Sequence, residues 1–217
     1  MSDTSQKRED SAGSEVPSEA EPILNLRGER VALGPLRRDY IPLYVRWLND
    51  LQTHQNLGGF VPQTVEHQER WYERQVKSES SLHFTIYDAQ DLAPIGISGL
   101  EDIDYRNRTA EFLLMVGEER YRGGGRGTET TRLLLDYAFN AVGLHNVQLR
   151  VYEFNAPAMR AYEEVGFREY GRRRQSYFMG GRSWDEVFMD ALATEFDSHL
   201  PGRDATSIIP PRQPPQT

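Results

Sequence analysis

The 217-residue chain carries 25 Lys and Arg against 33 Asp and Glu, a formal charge of −8, with 38% hydrophobic residues and no cysteine. That length suits one globular domain with loose ends, and the missing thiols exclude a disulfide scaffold, a thiolate metal site and a thiol nucleophile. The acidic balance argues against nucleic acid as a partner, because phosphate affinity needs a Lys/Arg surplus. No apolar run reaches the ~18–20 residues of a membrane span and no signal-peptide core opens the chain, so no membrane role and a cytoplasmic location are expected.

Residues 1–22 set Lys7 and Arg8 against six carboxylates and hold no aromatic cluster. They are expected to be a disordered acidic tail. Residues 197–217, with five prolines, read as a second, Pro-rich tail. The domain therefore spans 23–196. Within it, Val31–Leu33 predicts a short strand ended by Gly34-Pro35. Tyr40, Leu43, Tyr44, Trp47 and Leu48 recur at helical spacing, and a second helix is predicted over Val65–Lys77. Leu82–Tyr87, Ile95–Leu100 and Thr109–Val116 read as strands, the last two separated by the turn-forming Asp104-Tyr105-Arg106-Asn107. A glycine loop and a helix carrying Leu133, Leu134, Tyr137 and Ala138 follow. Val147–Val151 predicts a strand, Pro157–Glu164 a short helix closed by Gly166, and Phe167–Tyr177 with Trp184–Leu192 a hairpin turning at Gly180-Gly181. The sum is an α+β (or α/β) domain of about seven strands and four helices.

The informative stretch is Arg122-Gly123-Gly124-Gly125-Arg126-Gly127-Thr128, between a strand and a helix expected to open near Thr128. Glycines there permit positive φ and close ligand approach, and free amides at a helix start make an anion site. A P-loop would need a lysine before Thr128, and Arg126-Gly127 stands there instead. A dinucleotide fingerprint would need other glycine spacing, although Glu153 at the end of the next strand fits its acidic position. An RGG-type RNA segment has this composition but is disordered rather than flanked by regular elements. Glycines that serve only the turn are the remaining alternative.

Arg122-x-x-Gly125-x-Gly127 resembles the acetyl-CoA pyrophosphate loop, R/Q-x-x-G-x-G/A, of the GNAT acyltransferase superfamily. Asn155-Ala156-Pro157-Ala158 through Tyr162-Glu163-Glu164-Val165-Gly166-Phe167 resembles that family's N-x-x-A…Y-E-K-x-G-F stretch, and the likeness reaches back through Arg106–Phe112 to Arg27–Val31. It is strongest to the branch of ribosomal-protein and spermidine N-acetyltransferases and covers neither tail. The resemblance implies a GNAT fold with a mixed, mostly antiparallel sheet. It also implies an N-acetyltransferase that uses acetyl-CoA as co-substrate and a small-molecule or peptide amine as acceptor. A non-catalytic acyl-CoA-binding module is the alternative; a monomer or homodimer is expected, with the late hairpin as a pairing edge.

The resemblance further implies that the amides of Gly123, Gly124, Gly125, Arg126 and Gly127 take the pyrophosphate, with Thr128 as a side-chain donor. Leu113, Leu114 and Met115 would splay from Gln148–Val151 so that their backbone pairs with the pantetheine arm, and Asn155 would contact that arm or cap its helix. Tyr162 matches the family's general acid; a core aromatic is the other reading. An alkylamine of pKa ~10.4 is neutral about once in two thousand molecules at pH 7, a cost of ~4–5 kcal/mol, so a base helps. Glu111 is the candidate, with an ion pair to Arg106 or Arg108 as its structural alternative; Glu101 and Asp102 are weaker ones. The acceptor pocket is expected among Trp47, Asn49, Asp50, His54, Phe60, Trp71, Tyr177, Phe178 and Trp184. None of the five histidines sits in a ligand-spaced pair, so no metal is expected.

Overall fold

The computed structural model describes residues 21–59 and 61–197. Both predicted tails, apart from residues 21, 22 and 197, and also Phe60, lie outside the described residues.

The strands are β1 (Leu26–Arg27), β2 (Val31–Pro35), β3 (Leu82–Asp88), β4 (Pro94–Asp104), β5 (Thr109–Val116), β6 (Asn146–Tyr152), β7 (Arg168–Met179) and β8 (Arg182–Leu192). They form one sheet in the order β1-β2-β3-β4-β5-β6-β8-β7, antiparallel except where β5 and β6 run parallel. The helices are α1 (Ile41–Asn49), α2 (Leu51–Gln55), α3 (Val65–Gln75), α4 (Arg126–Asp136) and α5 (Ala156–Val165). Among the described residues there are eight strands and five helices, against about seven and about four expected. A two-residue strand and a five-residue helix are too short to show a period, and β1 and α2 are those elements.

Period-two alternation divides the strands between two cores. Leu82, Phe84, Ile86, Ala110 and Phe112 join Leu133, Leu134 and Tyr162 on the face covered by α4 and α5. Ile97, Leu113 and Met115 pack with Tyr44, Trp47 and Trp71 of α1 and α3 on the other. Burying a side chain of this size contributes roughly 1.5–3 kcal/mol, and the one hydroxyl Tyr44 takes inside meets Thr85 Oγ1 at 2.7 Å.

The turns are chemically specified. Asp104 Oδ1 accepts from the N–H of Arg106 and of Asn107, both at 2.9 Å, closing the β4–β5 turn. Gly180 and Gly181, at φ +63° and +80°, turn the β7–β8 hairpin, a left-handed pair suited to a two-residue connection. β7 is the terminal strand of the sheet, the position expected of the late hairpin. Arg172 pairs with Glu169 at 2.7 Å and Arg173 with Glu186 at 3.5 Å, so these two members of the basic run at 172–174 are engaged within their own hairpin.

Candidate active site

β5 and β6 pair only at Thr109–Asn146, Ala110–Val147 and Glu111–Gln148. β5 stays bonded to β4 as far as Val116, and β6 to β8 as far as Tyr152. Past Glu111 the facing edges of β5 and β6 therefore separate, as the resemblance implied for Leu113–Met115, although Gln148, expected beside the gap, is still paired. The gap opens into a cavity of about 610 Å³ lined by Leu113, Leu114 and Met115 from β5 and by Leu149–Tyr152 from β6. A V-shaped opening with unpaired backbone edges offers amide donors and acceptors to a ligand that carries its own peptide-like groups.

One mouth of the cavity is the glycine loop. Gly123, Gly124 and Gly125 hold φ of +78°, +60° and +81°, a run that side chains with a Cβ resist. Gly125 is the N-cap, and α4 begins at Arg126, two residues earlier than expected. The first intrahelical acceptor in use is Gly125 O, bonded by Glu129 N, so the amides of residues 126–128 have no partner within the helix. A Cβ placed on Gly123 would meet nothing within 4 Å; the approach is open. Gly123, Gly125, Gly127, Thr128 and Arg122 line the cavity, whereas Gly124 and Arg126 do not. The Arg126 side chain turns back to Asp88, Nε to Oδ2 at 2.7 Å. Arg122 braces the loop, donating to Val116 O at 3.2 Å and to Asp50 and Thr53 of the α2 turn.

Sequence reasoning missed how α4 itself is aimed. Glu129 accepts from the backbone N–H of Glu29 and Arg30, each at 2.7 Å, and of Val31 at 3.1 Å. This single carboxylate pins the first turn of α4 to the β1–β2 turn, where Gly28 leaves room for it.

From the other side α5 contributes two residues. Asn155 caps it, accepting from Ala158 N at 3.3 Å, and lines the cavity; its side-chain amide remains a donor. Tyr162 also lines the cavity, its ring edge-on to Phe112 and Phe167 at 6.0 and 5.8 Å. Burial pushes its phenol up to about 12, so it stays a protonated donor throughout the physiological range. The ring is core, and the residue also borders the cavity.

Glu111 and Glu101 line the same cavity. Glu111 pairs with Arg150 Nε at 3.1 Å, a β6 partner rather than the Arg106 or Arg108 considered from sequence; Arg108 Nε bonds Gly143 O instead. Glu101 meets His83 Nε2 at 3.1 Å, and that bond, with smaller help from the His83 and then the Arg150 charge, holds its carboxyl below the usual range against the opposing effect of burial.

Of the aromatic and polar residues expected at the acceptor end, Trp71 lines the cavity. Trp47 is core, its N–H on Glu118 at 2.8 Å, and Asn49 fastens Gln63. Asp50 caps α2 through Thr53 N at 3.0 Å, and His54 lies against Gly59. Tyr177 bonds Gln55 O, Trp184 bonds Met179 O, and Phe178 is exposed. Leu48, Thr53, Asn56, Leu57, Gln68 and Tyr152 line the cavity instead. The expectation failed because α1 ends at Asn49 and the chain re-enters as α2, which turns different residues inward. Among the described residues no group of three or more His, Asp or Glu is arranged to hold a metal, and no helix is long and apolar enough to cross a membrane.

The family model described as acetyltransferase (GNAT) domain matches residues 30–168. The chain belongs to the GNAT acetyltransferases. It is 28% identical over 156 residues to a spermidine N(1)-acetyltransferase of Vibrio cholerae, covering 70% of this chain and 89% of that one. It is 26% identical over 170 residues to the prophage-derived N-acetyltransferase YokL of Bacillus subtilis, covering 78% and 94%. The solved structure of a Vibrio cholerae spermidine N-acetyltransferase in complex with CoA and spermine superposes with a TM-score of 0.72 at 26% identity, covering 77% of this chain and 98% of that one. The fold is thus the GNAT fold and the chain an acyltransferase, as the sequence implied.

Proposed function

We propose that this GNAT acetyltransferase moves the acetyl group of acetyl-CoA directly onto the primary amine of a cationic acceptor, with both substrates bound in the one cavity. The observation that carries this reading is the convergence of three features there: the unpaired edges of β5 and β6, the open N-terminus of α4, and Tyr162. The free amides of α4 suit a pyrophosphate, and the edges past Glu111 suit an arm with amide groups. The residues present therefore fit acetyl-CoA, with Gly123, Gly125, Gly127 and Thr128 at the phosphates and Leu113–Met115 with Asn155 along the arm. When bound, the co-substrate supplies the acetyl group as a thioester.

In this account the protein's own groups divide the remaining work. Backbone N–H groups of β5 stabilise charge developing on the carbonyl oxygen. Tyr162 donates its proton to sulfur as the carbon–sulfur bond breaks and recovers one from the nitrogen as the carbon–nitrogen bond forms. Glu101 and Glu111 draw a positively charged amine toward Trp71, whose ring face suits a cation. Two carboxylates and the likeness to spermidine acetyltransferases favour a polyamine over a peptide N-terminus or an antibiotic amine. The test is acetylation of spermidine, peptides of varied N-terminus and an aminoglycoside, with products read by mass; acetylated polyamine is expected, and modification of another class alone would replace that choice.

A further inference from the structure

Glu101 and Glu111 are direct partners in the β4–β5 register, and carboxylates opposed across neighbouring strands repel unless each is held. Their holders differ. Glu111 has Arg150, a permanent cation at 3.1 Å. Glu101 has His83 of β3, whose side chain is only 2% exposed and lies edge-on to Trp71 at 5.4 Å. The second ring nitrogen, Nδ1, is buried without a hydrogen-bond partner. A bare lone pair tolerates that position better than a stranded N–H, which puts the proton on Nε2, where it is donated to Glu101 Oε1. Room for the ring is also built in. Gly99 is the register partner of His83, and a Cβ there would come within 2.8 Å of the imidazole Cδ2. A Cβ at that position would also meet Leu82 O at 2.6 Å, so glycine there leaves space for the neighbouring backbone as well as for the ring that lies across β4 toward Glu101.

We propose that His83 is a positioning residue that fixes Oε1 of Glu101, leaving Oε2 to take the proton from the acceptor's ammonium, so that Glu101 rather than Glu111 activates the amine. The proposal rests on the N-acetyltransferase reading above. An N–H bond of the ammonium breaks, its proton passes to Oε2, and the electron pair left on nitrogen forms the bond to the acetyl carbon. The resulting carboxylic acid returns the proton to water after product leaves. Protonating Oε2 keeps the His83 bond at Oε1, whereas protonating Glu111 breaks an ion pair. The titratable and charged groups bearing on Glu101 are His83 from β3, Glu111 from β5 and Arg150 from β6; α3 presents the uncharged Gln68 and Trp71 to the cavity.

The experiment compares Glu101→Gln, Glu111→Gln, His83→Phe and His83→Gln in the full chain. It measures acetyl-CoA affinity by calorimetry, pH profiles of kcat/KM with the best amine substrate, and the tautomer of His83 in the wild type by ¹⁵N NMR. Expected are a loss of ~10²-fold or more in kcat for Glu101→Gln with acetyl-CoA affinity unchanged, and an effect of Glu111→Gln mainly on KM. In His83→Phe the acid limb of the profile moves to higher pH, because the carboxylate loses the N–H that stabilises its charged form; His83→Gln, which keeps a donor, restores part of the shift. The resonance of His83 should be that of the Nε2–H tautomer. Wild-type kcat in Glu101→Gln, an unmoved limb in His83→Phe, or an Nδ1–H tautomer would each overturn the proposal. Absence of acetyl transfer by the wild type to any amine would instead strike the functional reading, while the NMR result still decides the tautomer.

Discussion

Glu111 and Gln148 form the last parallel pair between β5 and β6, and the cavity begins where that pairing stops. The two faces of the sheet carry different chemistry: Tyr162 arrives with α5 from one side, Glu101 and Glu111 project from the other. The gap past Glu111 joins them. On the proposed reading, an acetyl donor seated along one side meets an amine entering from the other in that gap.

Tyr162→Phe keeps the ring that packs on Phe112 and Phe167 and removes only the hydroxyl. The variant should bind acetyl-CoA almost as the wild type does, melt at the same temperature and lose about 10²-fold in kcat. Calorimetry and steady-state rates measured together check this. Because the phenol is pushed up to about 12, wild-type activity should show no alkaline fall attributable to this group below about pH 11.

Gly125→Asp introduces a carboxylate at the N-cap of α4, at a backbone φ of +81° that Asp and Asn tolerate better than other side chains. The charge then opposes phosphate at the amides of 126–128. CoA affinity should fall by ~10²-fold or more (about 2.7 kcal/mol), while Gly125→Asn, of the same shape without charge, should lose far less. Equal losses in both would assign the effect to shape alone.

Glu129→Ala removes the acceptor for three backbone N–H groups of the β1–β2 turn. Bonds to a charged group contribute about 1.5–3 kcal/mol each when buried; this carboxylate is partly exposed, so a total loss near 2–3 kcal/mol is expected. Denaturant unfolding reads it. A weaker CoA affinity should accompany the loss, since α4 is then no longer held by this contact.

Asp50→Ala removes the α2 cap and one partner of Arg122. The expected cost is about 1–2 kcal/mol, with CoA affinity falling slightly as the Arg122 brace loosens. The Thr53 hydroxyl, first among its partners, holds the Asp50 carboxyl below its ordinary value. Its contribution is therefore present above the unfolded-state pKa and is lost as pH falls through the folded one. The wild-type minus variant difference in stability should shrink on acidification.

The sequence carried the loop and the long Asn155–Phe167 motif because their signals are local: glycines that must take positive φ, an Asn that caps a helix, and a C-cap at Gly166 with φ of +114°. Strand limits were legible where residues alternate, as in Thr109–Val116. What escaped depends on register. That His83 reaches Glu101 requires β3 and β4 to align at Gly99, and that Arg150 holds Glu111 requires β6 to lie parallel to β5. The residues lining the cavity beside Trp71 were misread for a related reason: α2 is a single short turn, too brief to show a period.

The most direct test of the central claim is thiol release from acetyl-CoA in the presence of each amine of the panel, run in parallel on the wild type and Tyr162→Phe. The account predicts release that depends on a cationic amine, strongest for a polyamine, and reduced about 10²-fold in the variant. Acetyl-CoA bound tightly by both proteins with no amine-dependent release from either would contradict it, and would leave the chain a binder of acyl-CoA rather than a transferase.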